Sequence, residues 1–179
     1  MNYQELELNE LIEYTKNNDT EAIKELAFRY YYGEGIKKDL NKAFTLFKSI
    51  DNDPIAFYMI GECYFYGDGI NKDYKEAFKY YLKASQYDDP LALNMVADFY
   101  YYGYGVKIDL NEALKYYLKA SELNSVDAYY ALGEIYENGN GVEKDLNEAL
   151  KYYNLANNNG YSEVDIDIKR IKKKLKKNK

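Results

Sequence analysis

Three carboxylates, Glu62, Asp98 and Glu134, each stand two residues before a tyrosine in a recurring motif. Two carboxyl groups held about 5–10 Å apart, one of them desolvated, could serve as acid and base in a hydrolysis. Four aspartates, Asp39, Asp73, Asp109 and Asp145, also recur at the motif's spacing and could be metal ligands or acids. A Gly-x-Gly appears four times, at Gly33, Gly67, Gly103 and Gly139, and could cradle a phosphate. Each of these readings has a plainer rival. The Gly-x-Gly follows a helical pattern rather than a strand and lacks Gly-Lys-Ser/Thr, so a turn explains it with less. Aspartate is a favoured N-cap, and the four stand where a new apolar periodicity begins.

The rest of the composition narrows the chemistry. The chain has no histidine and one cysteine, Cys63. That removes Ser-His-Asp and Cys-His nucleophiles, histidine-bound metals, an internal disulfide and any cysteine-based zinc site. No metal or other cofactor is expected. Cys63 itself falls on a helix pattern and reads as a small core residue. The acidic first residues lack the apolar core of a signal peptide, and no run reaches the ~18 apolar residues of a membrane span. A reducing, cytoplasmic setting is expected.

Charge is unevenly placed. Net charge is −6, yet Lys169 to Lys179 hold eight basic and no acidic side chains, leaving 16 basic and 30 acidic, or −14, elsewhere. An acidic body argues against nucleic-acid binding. The basic tail, with Val164, Ile168, Ile171 and Leu175 as an apolar stripe, reads as a solvated capping helix. Its alternatives are contact with an anionic membrane surface or nucleic acid, or docking on the acidic body of another copy.

The elements that position these residues are repeats. The first glycines of the four motifs lie 34, 36 and 36 residues apart, a period of stacked supersecondary units. Each unit reads as helix A, Gly-x-Gly loop, helix B. Helix A carries Ala22, Ala56, Ala92 and Ala128, then Leu26, Ile60, Val96 and Leu132, then Ala27, Gly61, Ala97 and Gly133, ahead of Tyr30, Tyr64, Tyr100 and Tyr136. The four- and eight-residue spacings put one face inward. The first glycine of each pair is expected at positive φ as a helix C-cap, and the second to bend the loop. Helix B begins at the aspartates, with Glu76, Glu112 and Glu148 completing capping boxes, and turns in Ala43, Ala77, Ala113, Ala149 and then Phe47, Tyr81, Tyr117, Tyr153. Pro54 and Pro90 open the next helix A.

This pattern, with every landmark present in four copies over roughly residues 22–160, resembles the Sel1-like repeat, a relative of the tetratricopeptide repeat. The resemblance implies an all-α fold, an α/α solenoid forming a right-handed superhelix, and an adaptor or scaffold role. The chain departs from the pattern in places. Tyr80-Tyr81, Tyr116-Tyr117, Tyr152-Tyr153 and Leu46-Phe47 replace the usual tryptophan-tyrosine pair. The cysteine pairs of secreted bacterial members are missing. The closing glycine is matched only by Gly160, with Asp53, Asp89 and Asn124 in the other copies. One domain over 1–179 is expected: an N-terminal helix in 1–19, repeats at 20–53, 54–89, 90–124 and 125–160, and the basic cap at 161–179. The N-terminal helix is expected from Glu5 to about Asn17.

With one face of helix A buried, the opposite row becomes the expected concave wall: Lys24, Phe28 and Tyr32; Tyr58, Glu62 and Tyr66; Asn94, Asp98 and Tyr102; Tyr130, Glu134 and Asn138. The partner-binding residues expected are Tyr58, Glu62, Tyr66, Asn94, Asp98, Tyr102, Tyr130 and Glu134. Tyrosines interleaved with carboxylates suit a basic, partly apolar peptide. The function expected is a non-catalytic protein-interaction scaffold. A carboxylate-based hydrolase in the groove, or tethering through the basic helix, are the alternatives. A protein or peptide of basic character is the expected partner, with no small-molecule substrate.

Overall fold

A computed structural model of the chain describes residues 2–177. Met1 and the last two residues of the basic tail, Asn178 and Lys179, lie outside the described residues. The fold is all-α, an α/α solenoid of paired helices, and no strand occurs among the described residues. Among the described residues ten α-helices run in order: α1 (Leu8–Lys16), α2 (Thr20–Tyr32), α3 (Leu40–Lys48), α4 (Pro54–Tyr66), α5 (Tyr74–Ser85), α6 (Pro90–Tyr102), α7 (Leu110–Glu122), α8 (Val126–Asn138), α9 (Leu146–Asn158) and α10 (Asp165–Lys177). The chain forms two compact units, one running through Tyr87 and the other starting at Asp88. Each holds two repeats.

Within every repeat, helix A and helix B are joined by the same backbone device. Helix A stops at Gly33, Gly67, Gly103 or Gly139, each left-handed, and the glycine N–H bonds back to the carbonyl four residues earlier. The chain then returns so that the N–H of Asp39, Asp73, Asp109 or Asp145 donates to the carbonyl of Tyr30, Tyr64, Tyr100 or Tyr136, at 2.9 Å in all four. The aspartate carboxylates accept from helix B's first-turn N–H groups, as a cap should. The expected capping boxes are only half made. The cap N–H is already bonded to the tyrosine carbonyl, so Glu76, Glu112 and Glu148 turn outward and pair with Lys79, Lys115 and Lys151.

The second glycine has a role beyond bending the loop. A Cβ on Gly69 would lie 2.1 Å from the Leu40 carbonyl oxygen, and one on Gly141 2.6 Å from Leu110 Cβ. In each unit the second repeat's loop thus sits directly on the start of the first repeat's helix B. Gly35, in the first repeat, meets nothing within 4 Å. The residue between the glycines adds a tie: Tyr31 donates to Asp68 at 2.8 Å, and Asn140 donates to the Tyr101 hydroxyl at 2.5 Å.

The cores are those the periodicity implies. Ala22, Ala56, Ala92 and Ala128, and Ala43, Ala77, Ala113 and Ala149, are fully buried. They let paired helices approach closely. The small residue of helix A is fixed by the aromatic of helix B, since a Cβ on Gly61 or Gly133 would fall 2.7 or 2.5 Å from the ring of Tyr81 or Tyr153. The loop tyrosines stack on helix B's other tyrosine: Tyr64 on Tyr80, Tyr100 on Tyr116 and Tyr136 on Tyr152, with ring centres 5.7–5.9 Å apart.

Two expectations shift. The N-terminal helix does not start at Glu5; a short 3-10 turn, Tyr3–Glu5, precedes α1. Arg29 donates to the carbonyls of Tyr3 and Gln4 and so holds this turn against α2. The closing-glycine position falls where expected at Asn124 and Gly160 but one residue earlier than expected in the first two repeats, at Asn52 and Asp88 rather than Asp53 and Asp89; all four, and Asn18, have positive φ. Asparagine and aspartate tolerate this left-handed geometry better than other side chains. Asp53 and Asp89 instead cap α4 and α6 through the N–H of Ala56 and Ala92.

The two glycines Gly35 and Gly69 give a direct test of repeat-to-repeat contact. Gly35→Ala should cost about 1 kcal/mol, the strain of a left-handed alanine. Gly69→Ala should cost at least ~2 kcal/mol more, because its Cβ meets backbone rather than open space. Denaturant melts of the two variants should separate accordingly; equal losses would show that the loop does not bear on α3.

Candidate functional site

The inner-row residues are positioned by the helices that carry them. In the first unit, Glu62 on α4 accepts a hydrogen bond from the buried Tyr81 hydroxyl at 2.6 Å, and a second from Tyr58. Burial pushes the Glu62 carboxyl above its ordinary range, and the two hydroxyls oppose that shift. In the second unit Tyr117 donates to Asp98 in the same way, and burial again raises the carboxyl. Glu134 accepts from Tyr130 at 3.2 Å; burial raises both groups, the Tyr130 hydroxyl to about 12. These carboxylates are therefore anchors for tyrosines as well as surface charges.

Two residues of the row, Lys24 and Asn94, serve the stacking of repeats. Lys24 reaches Asp53, the cap of α4, at 2.8 Å, and Asn94 reaches Ser125, the cap of α8, at 2.5 Å. Asn94 is only 6% exposed. Its expected place in a partner-facing row is thus corrected: it is spent on the next helix A.

The last position of the row is open. Tyr32, Tyr66 and Tyr102 are 55–58% exposed, and each ring is held edge-on by the ring before it, Tyr31, Phe65 or Tyr101. Asn138 takes the place in the fourth repeat and is exposed. Exposed aromatics with fixed rings offer contact area at little entropic cost.

A second cluster escaped the sequence reading. Glu137, one residue after the loop tyrosine of the last repeat, is buried and accepts from Tyr153 at 3.0 Å, from Arg170 at 3.0 and 2.5 Å, and from Lys174 at 2.8 Å. Burial alone would raise its carboxyl, but Arg170, Lys174 and Tyr153 outweigh it and bring it down to about 2. This cluster locks α10 onto the last repeat, together with the buried Val164, Ile168 and Ile171. Two of the tail's basic side chains are thereby committed to the cap. Nothing in the sequence at position 137 distinguished a buried anchor from a surface glutamate.

Among the described residues no group of three or more His, Cys, Asp or Glu could hold a metal ion. Cys63 is fully buried and burial pushes its thiol up to about 12, so it is not poised as a nucleophile. Nor is any described helix long and apolar enough to cross a membrane.

Paired helices closed by glycine loops and stacked through repeated small residues define an α/α solenoid of the tetratricopeptide-like class, whose members generally serve as protein-interaction scaffolds. The Sel1 repeat model matches residues 20–49, 54–86, 90–125 and 126–161, and the chain belongs to that family. A solved Sel1 repeat protein from Oxalobacter formigenes is 33% identical, with a TM-score of 0.80 over 84% of this chain and 62% of that one. The protective antigen c5321 of uropathogenic Escherichia coli, which displays the same repeat fold, is 30% identical, with a TM-score of 0.83 over 87% of this chain and 34% of that one. Cysteine rich protein B of Helicobacter pylori is also 30% identical, with a TM-score of 0.56 over 74% and 96% of the two chains. The chain thus spans less than two thirds of the first two relatives. No curated protein matches it.

The Glu137 cluster predicts a specific pH dependence. Its carboxyl lies below its ordinary value of 4.5 in the folded chain. It therefore contributes stability above that value, and the contribution is lost as pH falls toward 2. Glu137→Gln should destabilise the chain by about 2–3 kcal/mol at neutral pH. Thermal melts from neutral to acid pH should show the gap between wild type and variant closing on the acid side. A gap independent of pH would contradict the assignment.

Proposed function

We propose that the chain is a non-catalytic protein-interaction scaffold that holds a basic, partly apolar partner segment against the inner row of its A helices. The observation that carries this reading is the register of exposed tyrosines. Tyr66 in the first unit and Tyr102 in the second are more than half exposed, each fixed by its neighbouring ring and each one turn from a carboxylate, Glu62 or Asp98. Ring faces supply apolar and cation–π contact, and the carboxylates supply charge complementarity to lysine or arginine. Tyr58 in the first unit, and Tyr130 and Glu134 in the second, take corresponding places in their own repeats and support the reading. Asn94 plays its part behind the surface, by fixing α8.

The hydrolase alternative draws on Glu62, Asp98 and Glu134. Their hydrogen bonds to Tyr81, Tyr117 and Tyr130 favour a positioning and charge role over proton transfer. The scaffold reading keeps the chain in a reducing, cytoplasmic setting, where its lone buried cysteine stays a thiol.

The test uses the exposed rings, because truncating Glu62 or Asp98 would strand a buried tyrosine hydroxyl and confuse folding with binding. Binding of the full chain to an array of lysine- and arginine-rich peptides with interspersed aromatics should fall at least ~10-fold in Tyr66→Ala/Tyr102→Ala, the loss of anchor contacts worth about 1.4 kcal/mol or more. Melting temperature should stay close to wild type. Binding that is absent, or present and unchanged by the double substitution, would remove the row from the function.

A further inference from the structure

The first unit begins with a strap laid across α2. The Tyr3 hydroxyl donates to Asp19 at 2.6 Å, and the buried Arg29 donates to the carbonyls of Tyr3 and Gln4 at 3.2 and 3.1 Å. Between strap and helix lies a cleft of about 700 Å³. Its apolar lining comes from Leu6, Leu8, Phe28 and Tyr32, the two rings stacked 6.1 Å apart with their planes within 8°. Its lining also carries the exposed carboxylates of Glu5, Glu7 and Glu34, and that of Glu25, whose charge Arg29 offsets. The one cation in the lining, Arg29, is already engaged by Glu25 at 2.9 Å and by the strap. The cleft is therefore apolar at its floor and negative at its rim.

The last helix has the complementary pattern. α10 turns Ile168 and Ile171 inward and commits Arg170 and Lys174 to Glu137. Its outward side carries Ile166, 74% exposed, and then Lys169 and Lys173 three and seven residues on, both exposed. That spacing places the isoleucine and the two lysines on one helical face. An apolar side chain beside cations matches a cleft of leucines and rings beside carboxylates.

We infer that the cleft between strap and α2 docks the outer face of α10 from a second copy of this chain. The two surfaces differ, so the contact is heterologous and runs head to tail, adding copies rather than closing a two-fold dimer. Opposed surface charges at its rim make it weaken with salt. The cleft shares Phe28 and Tyr32 with the first repeat's part of the partner row but includes neither Tyr66 nor Tyr102, so substitutions at those two tyrosines and charge reversals at the cleft read the two contacts separately.

Sedimentation equilibrium of the full chain over a wide concentration range tests it, at about 0.02 and 0.5 M salt. Mass should rise with concentration at low salt and return toward the monomer at high salt. Glu5→Lys/Glu34→Lys and Lys169→Glu/Lys173→Glu should each weaken association at least ~10-fold by setting like charges together. Mixing the two variants one to one should restore it, since the reversed cleft then meets the reversed helix. Circular dichroism and melting curves establish that both variants stay folded. A wild-type chain that remains monomeric overturns the inference, as does association that neither pair of changes weakens or that mixing fails to restore. A monomer whose cleft instead takes up oligolysine would assign the cleft to a foreign basic partner, and equally overturns self-docking.

Discussion

Everything in each repeat depends on one backbone hydrogen bond, from the N–H of the cap aspartate to the carbonyl of the tyrosine nine residues before it. It can form only if helix A ends abruptly, which the left-handed glycine permits, and if helix B starts at the aspartate, whose side chain caps it. Once it forms, the two helices lie antiparallel at a fixed register. The alanines of both helices are then buried, the helix B aromatic covers the small residue of helix A, and in the last three repeats the tyrosine side chain stacks on its helix B counterpart. The same bond explains why the capping boxes stay half made. The donor that the glutamates would have accepted from is already in use.

Stacking of repeats adds a second layer of contacts, and most of these use polar side chains. Tyr31 to Asp68, Tyr101 to Asn140, Lys24 to Asp53 and Asn94 to Ser125 each join one repeat to the next within a unit. Polar ties of this kind fix register more sharply than apolar contact does, because a slip by one residue leaves a buried donor or acceptor unsatisfied. They also draw residues away from the surface that binding would need. What remains exposed on the inner row is a set of tyrosines whose orientation is settled by neighbouring rings.

The fold was legible because its determinants are local and repeated. Glycine at the C-cap, aspartate at the N-cap and alanine at four-residue spacing each state their role in the sequence. The candidate site was less so. Lys24, Asn94 and Tyr58 share one register yet reach different partners: Lys24 and Asn94 reach the cap of the next helix A, whereas Tyr58 bonds to Glu62 of its own helix. Glu137 gave no periodic signal, since its partners Arg170 and Lys174 lie more than thirty residues away. The closing-glycine register was misplaced by one residue because Asn52-Asp53 and Asp88-Asp89 offer two turn-forming side chains in a row. Only backbone dihedrals show which of each pair takes positive φ.

Native-state amide hydrogen exchange at Asp39, Asp73, Asp109 and Asp145 tests the central constraint most directly. An N–H at the end of a loop exchanges quickly unless a persistent hydrogen bond holds it. Protection at these four amides should be comparable to that of the buried helical amides at Ala43, Ala77, Ala113 and Ala149. Fast exchange at the aspartates, with the alanines still protected, would mean that the helix pairs are held by side-chain packing alone and that the loop bond is not what organises them.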